Sequence, residues 1–498
     1  MIPTPSALFG PIFSAVQEHA LFGDSKSFAD AIPRRPVAEI LADWANEAPS
    51  RAEDIRAFVD RNFTVPGDDH EGLSGDAPIR AHIEALWPVL TRRQEQGAVG
   101  SSEIALPHPF VVPGGRFREL YYWDGYFTAL GLVRSGRHDL VEDMIANMGR
   151  LLDQFGRIPN GTRTYYLGRS HPPVFYLIAG LSQDWSAAAR RRRLEWMRIE
   201  HRFWIEGAQE LMPGQESRRV VRLADGALLN RYWDDQTTPR DESWREDVLL
   251  ARSTPGRRSS VLWRDIRAGA ESGWDFSSRW LADGRTLATI RTTRLIPIDL
   301  NCLLYGLEKT IAEEARALGD ETDARVFTGL AEARASAINR HLWNDVEGFY
   351  ADYDLDDGSA RGQLTAATAF ALFTGLCDQE RARRTAEAVE RLVRPGGLLT
   401  TLRATGQQWD APNGWAPLQW IAIAGLRRYG FADLARRISD SWTKMVDRHY
   451  RAAGVLLEKY DVERGGAGAG GEYVTETGFG WTNGVMLELL AGAEAADD

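Results

Sequence analysis

The stretch RHDLVEDMIANMGRLLDQFG occupies residues 137–156. Within it Leu140, Met144, Met148, Leu151, Leu152 and Phe155 recur at spacings of three and four, which stacks them on one face of a helix, and Gly156 supplies the stop. The pattern returns in Phe431, Leu434, Ile438, Trp442 and Met445. Working outward from these two, helices are expected at 77–97, 299–318, 321–342, 364–375, 379–394 and 476–492. Gly/Pro loops such as 113–115, 253–257 and 465–471 separate them, clear strand signals are few, and no solenoid repeat is present. The chain therefore reads as all-α, with helices in successive pairs. A closed ring of helical hairpins buries so many single-sided helices. The Pro-rich stretch 1–50 is expected to form an arm wrapped around a barrel of residues 51–498.

Composition narrows the function. The 498 residues are 44% hydrophobic and 26% charged, ordinary for a soluble globular chain. Asp plus Glu is 70 against 59 for Lys plus Arg, a formal net charge of -11. Such a surface repels phosphate backbones and anionic lipid, so neither nucleic acid nor membrane is an expected partner, whereas a neutral sugar is indifferent to it. Cys302 and Cys377 are far apart in sequence with no zinc-like spacing, and two reduced thiols are expected. No run of eighteen apolar residues exists. Ala7–Val16 contains Pro11 and follows no Lys or Arg, which makes a poor leader. The cytoplasm is the expected compartment, or the periplasm if a leader was removed, and the expected state is a monomer.

Four clusters combine residues of unusual chemistry. The first runs from Pro113 through Arg116, Glu119, Trp123 and Asp124 to Tyr126. Its glycines admit close backbone approach, its Arg and Asp offer fixed polar groups, and Trp123 offers an apolar face for sugar C–H groups. A helix entrance held by ion pairs is an equal alternative. The second, Gln407–Pro417, again mixes Trp409 and Trp415 with Asp410 and amides. The third, Glu271–Trp280, places Asp275 between Trp274 and Phe276, a setting that raises a carboxyl pKa by desolvation. A structural pair of Asp275 with Arg279 is the commoner alternative. The fourth joins Glu458 and Lys459 to Glu472, Tyr473 and Trp481, and Glu458 is either a surface partner of Lys459 or the second carboxylate of a glycosidase. Arginines beside aromatics and amides recur at 160–171, 231–235 and 240–243. Gly466, Gly468 and Gly471 satisfy G-x-G-x-x-G, but no strand–turn–helix surrounds them and Glu472 would repel a pyrophosphate, so a lid loop is expected.

Taken together, PGGRFRELYYWDGY at 113–126, QWDAPNGWAP at 408–417 and GGEY at 470–473 resemble the trehalase family of inverting glycoside hydrolases, over residues 21 to 492. The resemblance implies an (α/α)6 barrel, trehalose as substrate and no cofactor or metal. It implies Asp275 as general acid and Glu458 as general base. The sugar-binding positions it implies are Arg116, Trp123, Asp124, Asn160, Arg169, Ser170, Arg240, Glu242 and Gly273, with Glu472 and Trp481 on the side of a closing loop. Trp409 and Asp410 of the second cluster join the expected substrate contacts. Two positions depart from the family pattern. His171 stands where Gln is usual and Asp241 where Pro is usual, and both are expected at the sugar, His171 titrating near neutrality. Another disaccharide on the same barrel and a non-catalytic sugar binder are the rival readings.

Overall fold

A computed structural model describes residues 2–67, 77–94 and 96–497. The inner helices are Tyr122–Arg134, Phe175–Ala179, Ile298–Ala317, Ala369–Phe373, Ala416–Arg428 and Gly480–Asp497. Each packs on the next, and the last returns to the first, so the ring is closed. Outside them lie His138–Phe155, Ala187–Trp204, Glu321–His341, Gln379–Glu390 and Ala432–Ala453, with Ile79–Leu90 covering the last inner helix. Five successive inner–outer hairpins, with Ile79–Leu90 packed on Gly480–Asp497 as the sixth pair, thus make the expected (α/α)6 barrel.

The two layers differ as their sequences require. Every residue from Tyr122 to Leu132 is buried, as befits a helix covered on all sides. In His138–Phe155 the buried side chains form one stripe, and Gly156 ends the helix at φ 68° with its N–H on the Leu152 carbonyl. The ring closes where Gly131 meets Gly484. A Cβ on Gly131 would lie 2.5 Å from the Gly484 Cα, and one on Gly484 would lie 2.0 Å from the Phe127 carbonyl oxygen. Only glycine permits that approach of two backbones.

Several helix bounds differ from expectation. The helix expected at 77–97 stops at Leu90, because Thr91–Arg92 turns extended and pairs with Phe110–Val111. The one expected at 364–375 splits into a 3-10 turn, Ala366–Thr368, and the short helix Ala369–Phe373. Ala187–Trp204 has no counterpart among the expected helices: Arg190 to Arg193 in succession mask its stripe of Leu194, Met197, His201 and Trp204. Its start is nonetheless marked by Ser186, whose hydroxyl accepts from Ala189 N–H. Cys302 and Cys377 are free thiols, and among the described residues no helix is long and apolar enough to cross a membrane.

The N-terminal residues build a second apolar cluster. Phe9, Phe13, Phe28, Phe58 and Phe63 pack together and reach Tyr121, Tyr165 and Tyr166 of the barrel. Strand Ile32–Pro33 pairs with Phe63–Thr64, tying residues beyond position 50 into the same cluster. Lys26, wholly buried, pairs with Asp30 at 2.6 Å and Glu119 at 2.7 Å, joining this cluster to the loop that enters the first inner helix.

Candidate active site

The connections from outer to inner helices gather at one end of the barrel, and their side chains line a pocket of about 700 Å³ counting its open mouth. That size suits a small ligand. Asp275 enters it from the connection after Gly273. Gly273 has φ 75°, and a Cβ there would lie 2.9 Å from the Trp123 ring, so the turn that aims Asp275 requires glycine. Burial pushes the Asp275 carboxyl up to about 7, against the opposing pull of the Arg240 guanidinium. Asp124, in the first turn of an inner helix, is pushed up to about 8 by burial, with the charges of Glu458 and Asp275 adding to it. Both carboxyls hold their protons below those values.

Glu458 is also fully buried, just before the strand Lys459–Asp461 that pairs with Asn413–Trp415. Its Oε1 accepts from the Tyr473 hydroxyl at 2.7 Å. Its Oε2 lies 3.5 Å from Lys459 Nζ and accepts no hydrogen bond from the described residues. One carboxylate oxygen is therefore held by the protein while the other is left for a water or substrate hydrogen.

Charged and aromatic groups complete the walls. Arg169 pairs with Glu242 at 2.6 Å and Asp234 at 3.3 Å. Burial alone would raise the Glu242 carboxyl, but Arg169 and Arg240 outweigh it and hold it below its usual range. Arg240 grips Asp247 and Glu472, each at 2.7 Å, and Ser243 Oγ donates to the other Glu472 oxygen. Glu472, which follows the glycine loop 465–471, is thus tied to Arg240 and Ser243. Trp409 stacks between Trp415 at 3.9 Å and Trp274 at 5.4 Å, with Trp481 edge-on and donating from Nε1 to the Glu458 carbonyl. Flat apolar faces beside paired polar groups are what a pyranose ring with its hydroxyls requires.

A family model for trehalase matches residues 20–493. The chain belongs to the trehalase family. Membership makes it a glycoside hydrolase. Periplasmic trehalases of Citrobacter koseri and Salmonella schwarzengrund are each 50% identical to it over 491 residues, covering 98% of this chain and 86% of theirs. Among solved structures, the neutral trehalase from Saccharomyces cerevisiae matches with a TM-score of 0.65 and 26% identity, over 85% of this chain and 82% of that one. The GH63 mannosylglycerate hydrolase from Thermus thermophilus in complex with glucose matches at TM-score 0.56 and 18% identity, over 83% of this chain and 100% of that one. That second likeness concerns the fold alone.

Against the positions expected from sequence, the pocket gathers Arg116, Trp123, Asp124, Asn160, Arg169 and His171 from the first half of the barrel. From the second half it gathers Arg240, Glu242, Gly273, Trp409, Glu472 and Trp481, around Asp275 and Glu458. Three expected contacts do not line it. Ser170 turns outward, its hydroxyl donating to the Ile158 carbonyl at 2.6 Å and its N–H to Glu271 at 2.8 Å. Asp241 faces the N-terminal cluster, where both its oxygens accept from Ser6, from N–H and hydroxyl, each at 2.8 Å. Asp410 lies beneath the Asp275 connection and collects Ser277 Oγ, Ser278 N–H, Ser278 Oγ and Thr401 Oγ1 at 2.8–2.9 Å, and Thr405 besides. It braces the connection that carries Asp275 and does not line the pocket.

Lining residues absent from the sequence expectation include Lys26, Phe117, Tyr121, Tyr166, Trp415 and Tyr473. Phe117, Tyr121, Trp415 and Tyr473 lie inside the quoted motifs and were within reach of sequence reading. Lys26 lies in LFGDSKSFAD at 21–30, where the resemblance begins, but its place on this wall follows from tertiary packing.

His171 also needs revision. Burial, with Arg169 adding to it, lowers its pKa well below the usual 6.5, and Nδ1 lies 3.5 Å from the Trp123 N–H. The ring is therefore neutral across the neutral range, not titrating within it. His171→Gln should leave the pH dependence of KM from pH 6 to 9 superimposable on the parent's; a profile that flattens in the variant would show that His171 ionises after all.

Proposed function

We propose that the protein hydrolyses α,α-trehalose to two glucose molecules by a single displacement with inversion. The observation that carries this reading is one pocket holding two unlike carboxyls: Asp275, pushed up to about 7, and Glu458, with one oxygen that accepts no hydrogen bond from the described residues. Asp275 donates its proton to the glycosidic oxygen. Glu458 takes a proton from a water that attacks the anomeric carbon from the opposite face. Tyr473 holds the Glu458 carboxylate, so the base is aimed before substrate arrives. Arg116, Arg169, Arg240 and Glu242 bind hydroxyls of the two glucosyl units, Asp124 donates from its protonated carboxyl, and Trp123, Trp409 and Trp481 cover the ring faces. The latch of Glu472 on Arg240 shields the reaction from bulk water. The relatives named above are periplasmic trehalases, and their compartment favours the periplasm over the cytoplasm for this chain.

The test is stereochemical. Trehalose joins two α-anomeric carbons through one oxygen, and hydrolysis breaks one of the two bonds. The leaving glucose keeps the oxygen and stays α. The other is attacked from the far side and becomes β. Proton NMR within the first minutes should show α- and β-glucose in equal amounts. Initial product that is almost all α would recast one carboxylate as a nucleophile. Glucose released from trehalose but not from maltose, sucrose or isomaltose separates this reading from another disaccharidase, and any catalytic release separates it from a sugar binder.

The acid must carry its proton in the free enzyme, so kcat/KM should fall as pH rises through about 7 to 8, where the Asp275 and Asp124 carboxyls ionise. The sign is that of a buried acid raised above its ordinary range: protonated and competent below the limb, charged and incompetent above it. An initial-rate profile that stays flat to pH 9.5 would contradict the assignment.

A further inference from the structure

The segment 408–410 touches the acid's connection at every residue. Gln408 Nε2 donates to the Asp275 carbonyl at 2.5 Å, Trp409 N–H donates to the Phe276 carbonyl at 3.0 Å, and the Asp410 carboxylate collects Ser277 and Ser278. On its other side, Gln408 Oε1 accepts from Lys459 Nζ at 2.7 Å. The same ammonium lies 3.5 Å from Glu458 Oε2. It is enclosed by the Trp415 and Tyr473 rings, at 5.4 and 5.0 Å from their centroids. Gln408 and Lys459 are both fully buried. A primary amide could be seated either way round, but an ammonium accepts nothing, so Lys459 forces Oε1 towards itself and Nε2 towards Asp275. One buried pair thus connects the backbone of the acid to the carboxylate of the base.

We propose that Gln408 and Lys459 are positioning residues for the hydrolysis: Gln408 fixes the acid's backbone, and Lys459 orients both the Gln408 amide and the Glu458 carboxylate. The proposal rests on the roles given above to Asp275 and Glu458. Neither Gln408 nor Lys459 is required to touch the sugar. Two hydrogen bonds, completed by the 3.5 Å ion pair of Lys459 with Glu458, restrict the separation of acid and base, and displacement of a reacting group by about 1 Å costs on the order of 10²-fold in rate.

The test uses two substrates on the full chain. Trehalose needs a proton at the leaving oxygen. In α-glucosyl fluoride, fluoride departs with little proton assistance, while the attacking water still needs the base. Gln408→Glu keeps the acceptor for Lys459 and removes the donor to Asp275. Gln408→Met removes both at similar volume. Each should lower kcat on trehalose by about 10- to 100-fold with KM changed far less, and should lose several-fold less on the fluoride. Lys459→Met should lower kcat on both substrates, because water activation is common to them. Parent-like kcat on trehalose in both Gln408 variants, equal losses on the two substrates, or a Lys459→Met enzyme unimpaired on the fluoride would each overturn the proposal. So would loss of the folded state in both Gln408 variants, since the pair would then be needed for folding and not for placement. Asp275→Asn run in parallel keeps the two claims apart: equal losses on both substrates in that variant would fault the acid assignment itself.

Discussion

Asp275→Asn and Glu458→Gln should each lower turnover on trehalose by about two or more orders of magnitude while the protein stays folded. Both changes keep side-chain volume. Asp275 is already neutral below about pH 7, so the amide replaces an uncharged group with an uncharged group. Its stability should match the parent's at pH 6, and the deficit should be confined to proton donation. In Glu458→Gln the amide can still meet the Tyr473 hydroxyl, but it cannot take a proton from water. Steady-state kinetics with a thermal melt on the same samples decides the matter. Near-parent turnover in either variant would remove that residue from the mechanism.

The largest stability loss is expected at Arg279→Met. Arg279 is fully buried, with Nη1 and Nη2 on Asp299 and Nε and Nη2 on Asp352, at 2.7–2.9 Å. Its guanidinium lies over the rings of Trp274 and Trp280 at 4.6 and 4.3 Å. Removing it leaves two buried carboxylates without their cation, which costs about 3–5 kcal/mol. Arg279→Lys should recover little, because an ammonium cannot reproduce two bidentate contacts and a ring contact at once. Denaturant unfolding measures the difference. The exposed pair Arg436–Asp433 is the control, where Arg436→Ala should leave the midpoint unchanged. A loss at Arg279 no larger than at Arg436 would mean that the buried network is dispensable.

The outer helices were legible because a single apolar stripe repeats at three and four. Three inner helices, Tyr122–Arg134, Phe175–Ala179 and Ala416–Arg428, were not, because side chains buried on nearly every side carry no period. Among the outer helices Ala187–Trp204 is the exception, its stripe masked by four successive arginines. The pocket was legible because its residues cluster in short motifs, yet proximity in sequence does not give direction. In Arg169–Ser170–His171 and in Arg240–Asp241–Glu242 the outer two residues face the pocket and the middle one faces away. Trp409 faces it and Asp410 does not. Alternation of this kind follows from the path of the chain, which residue types alone do not disclose. Asp275 shows the converse. Arg279, four residues on, suggested a structural ion pair, but Arg279 is committed to Asp299 and Asp352, and Asp275 is left to the pocket.

The Gly131–Gly484 seam has a consequence for protein synthesis. It joins the first inner helix to the last, so a nascent chain cannot close its ring until the final helix has left the ribosome. Glu458, Tyr473 and Trp481 emerge only shortly before that helix is complete. A chain interrupted before helix Gly480–Asp497 therefore holds Asp275 and most of the pocket lining but lacks the contacts that close the ring.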